Sequence, residues 1–400
     1  VTNDVKKRRV KGLAGIMLVL TAFAISTNAI PPLTTTISAE LGVPYEQFGY
    51  LFMVQFILFS LASFIGGWLS AKFHFSLRSL ILLGFFLVTV CLFTGSLLTS
   101  FAVFIFWIIP YGFSGGLLEP FSTILAARFD QPGSSKIVNL TQVFFCVGAV
   151  IAPQIVSILL KRGVPWRIMF ILFGGFLLLF GILFIFLYRP AEQGGNRKKG
   201  EQRPASVSIP LGDFLKDPLF ILLSTAIFLY VAAESSVIIW IAPYFEKFLG
   251  FSAADSAWRI GVYWGGLLIG RLVVSASPPR YSMWQPFLLG GAGMLVGTFV
   301  LAFHLSAVLT TVLVAALGLF SGPVWPCIVS ISNHTRDNTQ FTAAVLGIGA
   351  LGVALGPFLS SLIIRYFGIG FLFYGICFMS LLLVISAVLI RLEAVRETAR

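Results

Sequence analysis

Two carboxylates carry the most chemistry in this chain. Of its fifteen acidic residues, only Glu119 and Glu234 fall deep inside long apolar runs. An ionised side chain at such a depth costs about 2.5–3.5 kcal/mol even on a lenient insertion scale, so each must be protonated, paired or turned toward water. A carboxyl so placed suits a group that takes a proton on one side of a barrier and releases it on the other. No basic residue is expected at the same depth. Arg259 and Arg271 fall near opposite ends of one apolar run and are expected to snorkel to the two interfaces. Small and polar residues surround Glu119 at helical spacing: Gly112, Gly115, Ser122 and Thr123. Tyr230 stands one helical turn before Glu234, and Asn28 lies at a matching depth on a face shared with Thr21, Pro32 and Thr35. Asn139 and Gln142 are three apart and hence neighbours on a helix. Gln55, Trp240, Tyr263, Trp264 and Trp325 complete the polar and aromatic set. Amides that bond hydroxyls and indole faces that stack on C–H surfaces suit a sugar or polyol. For any single amide or tryptophan, helix–helix bonding or interfacial anchoring accounts for it equally well. The expected proton-coupling residues are Glu119 and Glu234; the expected substrate contacts are Asn28, Gln55, Asn139, Gln142, Tyr230, Trp264 and Trp325.

The elements that would hold these residues follow from composition. The 400 residues are 58% hydrophobic and 10% charged, with a mean hydropathy of +0.97. A soluble chain carries about 25% charge, and a core of this size cannot hide so much apolar surface from water. A membrane span takes about 20 apolar residues. Runs of that length predict twelve helices, near 12–37, 48–71, 78–100, 101–128, 137–161, 167–188, 218–243, 256–275, 286–304, 306–332, 341–366 and 371–391, with the weakest breaks at Ser100 and Ser306. The formal charge of +12 reports orientation rather than nucleic-acid binding. Placing the N-terminus in the cytoplasm puts Lys6, Lys7, Arg8, Arg9 and Lys11, the cluster Arg197–Lys199 with Arg203, and Arg391, Arg396 and Arg400 on the inner side. Most other basic residues join them there, which is the positive-inside bias with both termini cytoplasmic. The basic N-terminus followed by an apolar run resembles a signal peptide, but the run is too long and lacks a small-residue cleavage site, so an uncleaved first span is expected.

Several patterns have blander readings. Gly347-x-Gly349-x-x-Gly352 spells a dinucleotide fingerprint without the preceding strand that fingerprint needs. No phosphate-loop motif occurs, and His74, His304 and His334 are scattered. Cys91, Cys146, Cys327 and Cys377 each sit alone within a predicted helix as small apolar packing residues. With no nucleophile–base or metal cluster, catalysis is not expected, and neither is any cofactor beyond the proton motive force or a sodium gradient.

The chain also repeats itself. The polar stretch 189–217 divides the spans six and six, giving an N-terminal bundle 1–188, a cytoplasmic linker 189–217 with an amphipathic piece at Leu211–Lys216, and a C-terminal bundle 218–400. Span five contains Gly148-x3-Ala152-Pro153-x3-Ser157-x3-Lys161, and span eleven contains Gly352-x3-Gly356-Pro357-x3-Ser361-x3-Arg365. Phe113-Ser-Gly115 leading to Pro120 in span four is echoed by Phe320-Ser-Gly322 leading to Pro326 in span ten. The fold expected is an all-α membrane protein of two pseudo-symmetric six-helix bundles, a layout that resembles the major facilitator superfamily. Such folds bind substrate between the halves near the bilayer midplane.

Within that superfamily the sequence resembles the fucose–proton symporter family and its bacterial glucose-type members. The similar segments are Gly116-Leu-Leu-Glu119-Pro, Asn139-Leu-Thr-Gln142-x-Phe, Ala233-Glu234-Ser-Ser, Tyr263-Trp-Gly-Gly-Leu-Leu-Ile-Gly270-Arg271 and Gly318-Leu-Phe-Ser-Gly-Pro-Val-Trp-Pro326. The resemblance implies uptake of a monosaccharide with a proton by a monomer in the inner cell membrane, with Glu119 as protonation site and Gln142 as a sugar-contacting amide. Three departures stand out. The first span reads Asn28-Ala29-Ile30 and carries no acid, Phe145 replaces an amide, and Ala71 replaces the aspartate usual after the second span. Two alternatives remain open on the sequence: a proton-driven exporter of amphipathic compounds, suggested by the Gly148-x3-Ala152-Pro153 pattern and the 41 phenylalanines, and sodium-coupled sugar uptake.

Overall fold

A computed structural model of the chain describes residues 2–73, 75–129, 136–188, 214–275, 283–335 and 339–399. Among these residues every regular element is helical: fourteen α-helices and three short 3-10 turns. In chain order they are α1 (Thr2–Ala29), α2 (Thr34–Leu41), α3 (Phe48–Phe73), α4 (Leu77–Gly95), α5 (Phe101–Ala127), α6 (Lys136–Lys161), α7 (Trp166–Leu187), α8 (Pro218–Lys247), α9 (Ala253–Ser275), α10 (Trp284–Leu301), α11 (Ala307–Ser321), α12 (Val324–Thr335), α13 (Thr339–Phe367) and α14 (Leu372–Ala399).

Fourteen helices make twelve crossings because two crossings are broken. The first, expected as one run, stops at Ala29 and resumes at Thr34 after a 3-10 turn at Pro31–Leu33. Pro31 and Pro32 each lack the N–H that would continue the ladder, and each ring disfavours helical geometry in the residue before it. The tenth crossing breaks at Gly322-Pro323, between α11 and α12, for the same reason. The breaks expected at Ser100 and Ser306 are both present. Ser100 caps α5 by accepting a hydrogen bond from the Val103 amide at 3.4 Å, and Ser306 sits at the N-cap of α11. Among the described residues, eleven segments are long and apolar enough to cross a membrane. The twelfth crossing is α9, the helix that carries Asp255, Arg259 and Arg271.

The helices form two bundles whose packing repeats. In the first half α1 lies against α5, α6 and α7, while α3, α4 and α5 pack together; in the second half α8 lies against α13 and α14, while α9 and α10 pack on α11. The repeated glycines explain the correspondence. A Cβ placed on Gly148 of α6 would meet the Thr21 carbonyl oxygen of α1 at 2.5 Å, and one on Gly352 of α13 would meet the Phe228 carbonyl oxygen of α8 at 2.5 Å. The fifth crossing thus seats the first as the eleventh seats the seventh, through backbone contact that only glycine permits.

The start of α1 and the ends of α3, α5, α7, α9, α12 and α14 share one face of the bundle, the termini face; the loops at 42–47, 96–100, 161–165, 248–252, 302–306 and 367–371 form the distal face. The stretch 189–213 lies outside the described residues, and with it the first half of the expected amphipathic piece. In the second half, Phe214 is buried against Phe220 and Phe341 with ring centroids 5.5 and 5.8 Å away.

Candidate functional site

The two halves meet along two helix pairs, α3 with α13 and α6 with α9; the second pair is antiparallel and is joined from the distal face inward. Lys161 pairs with Asp255 at 2.9 Å. One turn deeper, Ser157 Oγ donates to the Ala254 carbonyl at 2.7 Å, and Gln154 Nε2 donates to the Trp258 carbonyl at 3.0 Å. Lys161 and the Ser252 hydroxyl hydrogen-bond the Asp255 carboxyl and hold it below the usual carboxylate range. Around this seam, the Thr35 hydroxyl donates to Glu246, and Tyr50 sets its ring edge-on against Phe358 at 5.0 Å. Trp240 Nε1 donates to the Pro357 carbonyl at 3.0 Å while Tyr45 abuts its ring.

Nearer mid-depth the seam changes character. Asn28 and Trp264, both buried, join α1 to α9 through a 2.8 Å bond from the indole Nε1 to the amide Oδ1. Asn28 spends its own Nδ2 on the Ala24 carbonyl at 2.9 Å, so the amide is engaged on both sides. Phe145, the ring that stands where an amide was expected, sets its edge against Trp264 with centroids 5.6 Å apart and leans on Phe23 at 5.9 Å. Every described hydrogen bond, ion pair and ring contact between the halves lies at or distal to the next pair inward, Gln142 and Arg271.

That pair corrects the sequence reading. Arg271 does not snorkel to the termini face. Its guanidinium turns inward, with Nη1 3.5 Å from both Gln142 Oε1 and Cys146 Sγ, and it acts electrostatically on Glu119, Glu234 and Tyr230. Helix geometry explains the error. A helical side chain leans toward the N-terminus of its own helix. The N-terminus of α9 is at the distal face, so an arginine near its other end leans back to mid-depth. The same lean carries Arg259 outward, where Phe245, Phe251 and Trp258 surround its guanidinium at 4.1, 4.5 and 4.9 Å. The seven-residue spacing from Trp264 to Arg271 spans about two turns, and it is the signal that could have placed both on the inward face. Cys146, expected as mere packing, belongs to this cluster.

The other expected residues fall as follows. Tyr230 is fully buried and donates from its hydroxyl to Glu234 Oε1 at 2.7 Å. Tyr263, one position before Trp264, donates to Ser321 Oγ at 3.0 Å. Glu119, Gln142, Glu234 and Arg271 all sit within the bundle yet stay only half-buried, the signature of side chains that line an internal cleft. Trp325 is half-buried beside the Gly322-Pro323 break. Gln55 is not brought to this cluster. It lines a cavity of about 10 Å³ inside the first half with Phe23, Ser26, Tyr111 and Gly112, its buried Oε1 without a partner, in a space of the size of one water. Asn139 lies on α6, and its side chain is outside the described residues.

Comparison with known proteins accords with this architecture. The model of the Major Facilitator Superfamily matches residues 15–348. A TsgA homolog of Buchnera aphidicola subsp. Schizaphis graminum is 22% identical over 80% of each chain. A glucose/galactose transporter of Brucella abortus biovar 1 is 25% identical over 65% of this chain and 64% of its own. Among solved structures, a bacterial homolog of the human lysosomal transporter Spinster superposes with a TM-score of 0.76 at 17% identity, over 97% of both chains. The nucleoside transporter NupG gives 0.76 at 12% identity, over 95% of this chain and 99% of its own. With its two glycine-matched bundles and the charged cleft between them, the chain belongs to the Major Facilitator Superfamily of membrane transporters.

Proposed function

We propose that this transporter takes up a monosaccharide or similar polyol together with a proton, by alternating access of its two halves to a site between α1, α5 and α6 on one side and α8, α9 and α12 on the other. The observation that carries the reading is a carboxylate from each half, Glu119 and Glu234, directed at one cleft that also holds the Gln142 amide and the Arg271 guanidinium. Relatives described as glucose/galactose transporters support the sugar. In the conformation described, the halves close on each other at the distal face through α6 with α9 and α3 with α13. The cleft therefore communicates with the termini face, which the positive-inside bias assigns to the cytoplasm of an inner cell membrane. The bundles 1–188 and 218–400 would rock about the stretch 189–217 as a monomer in lipid. Moving one charge through about 100 mV is worth about 2.3 kcal/mol. At about 1.4 kcal/mol per decade, that sustains roughly forty-fold accumulation before a pH gradient adds to it.

The test is a panel of neutral monosaccharides added to energised right-side-out vesicles while external pH is followed. Symport alkalinises the medium on addition of the right sugar. A silent panel, with proton-dependent extrusion of an amphipathic cation instead, overturns uptake in favour of export. Transport that follows sodium and ignores an imposed pH gradient overturns the proton.

A further inference from the structure

The charges in the central cleft do not match in number. Glu119 of α5 and Glu234 of α8 approach from opposite halves, and among the described residues Arg271 of α9 is the one cation that acts on both. The other titratable groups facing Arg271 are Cys146 of α6, Tyr230 of α8 and Tyr263 of α9. A thiol and a phenol ordinarily lose their protons near about pH 8.5 and 10, so both stay neutral at the pH of transport. Only the two acids and the guanidinium set the charge. With both acids ionised the cleft holds one surplus negative charge; with both protonated it holds one surplus positive charge. Either surplus is costly away from bulk water. A single proton gives neutrality.

The geometry of Arg271 suits sharing. Its described hydrogen-bond partners are all neutral, Gln142 Oε1 and Cys146 Sγ at 3.5 Å and the Tyr230 hydroxyl, and its buried Nε has no acceptor. No described ion pair fixes the guanidinium to either carboxylate, and an unused donor is available to whichever acid is ionised. Gln142 on the opposite half holds it in the cleft.

We infer that Glu119, Glu234 and Arg271 form a one-proton unit in which Arg271 is a positioning residue that fixes the count. The proton moves from water to a carboxylate oxygen of one acid, while the other acid stays ionised opposite the guanidinium. Removal of Arg271 leaves two negative charges and a demand for two protons. Removal of one acid leaves a neutral pair and no demand for any. Removal of Arg271 together with one acid returns the demand to one.

The consequence for coupling rests on the proton–sugar reading, but the proton count can be measured without any substrate. The protonated-carboxyl stretching band is recorded by infrared spectroscopy on full-length, substrate-free protein in lipid nanodiscs at neutral pH, taking the Glu119→Gln/Glu234→Gln double variant as baseline. The wild type is expected to show the band above baseline. Glu119→Gln and Glu234→Gln each return it to baseline, Arg271→Gln doubles it, and Arg271→Gln/Glu234→Gln restores the wild-type amplitude. Arg271→Lys keeps the charge and the wild-type band, which separates charge from folding, and the two single acid variants decide the matter alone if Arg271→Gln does not fold. An unchanged band in Arg271→Gln, or a wild-type band in either single acid variant, overturns the one-proton unit. A transporter with the expected bands but no sugar-driven alkalinisation would overturn the transport reading and leave the unit standing.

Discussion

The seam between the halves has two parts built on opposite principles. At the distal face, side chains of one half bond backbone carbonyls of the other, Ser157 to Ala254 and Gln154 to Trp258, with the side-chain pairs Thr35–Glu246 and Lys161–Asp255 at the rim. At mid-depth the contacts are between side chains, and one partner is a guanidinium that no described ion pair fixes to a carboxylate. Carbonyl contacts specify a geometry, and each is worth only about 0.5–1.5 kcal/mol net. They make a seal that is exact in register and cheap to open. Charges in a cleft specify an occupancy, because a surplus there is penalised until a proton or partner arrives. The difference teaches that position and occupancy are controlled separately along one pair of helices.

The largest effect is expected at the charged end. Glu119→Gln should abolish uphill accumulation of the transported sugar while exchange of labelled for unlabelled sugar continues. Active uptake and counterflow in the same vesicles check it, and accumulation at the wild-type level would remove Glu119 from the coupling. A smaller effect is expected at the boundary between the two zones. Trp264→Phe keeps a ring against Phe145 but leaves the buried Asn28 Oδ1 without its donor. An orphaned acceptor of this kind costs about 1–3 kcal/mol, a shift of roughly 5- to 150-fold against the sealed state. Hydrogen exchange at the amides of residues 253–262 should accelerate accordingly. Unchanged exchange would mean that the bond contributes nothing to the seal. Within the seal, Ser157→Ala should give the same signature at about 0.5–1.5 kcal/mol, without altering the proton dependence of uptake.

How far the sequence reached depended on which physical signal each feature leaves. The crossings and their grouping were legible because lipid demands long apolar runs, and a backbone contact such as Gly148 on Thr21 repeats as Gly352 on Phe228. Glu119 and Glu234 were legible because a carboxylate among apolar residues has few neutral explanations. Arg271 was not, since position along a helix gives the depth of a Cα and not of a guanidinium. That side chain is long, and its direction depends on which end of α9 faces which side. Nor was the fate of Gln55, which turns into a cavity within its own bundle. Depth alone cannot tell an amide facing the other half from one facing its neighbours. The break at Pro31–Leu33 was written in the two prolines but hidden by the unbroken hydropathy around them.

The smallest effect is expected at the rim of the seal, and it decides whether that rim is electrostatic at all. Lys161 and Asp255 are half-exposed, and pairs of that kind contribute about 0.2–1 kcal/mol and fade with salt. Lys161→Gln should therefore loosen the distal seal slightly at low ionic strength and not at all in high salt, read again by exchange at residues 253–262. The pH dependence carries the opposite sign from a histidine switch. The Asp255 carboxyl is held below its ordinary value in the sealed state, so its contribution is complete above the usual carboxylate range and is lost only as the pH falls through the lowered value. Across the neutral range the rim should be indifferent to pH, leaving the proton to act at mid-depth alone. A Lys161→Gln variant whose seal became pH-sensitive near neutrality would show that the two zones are not separate.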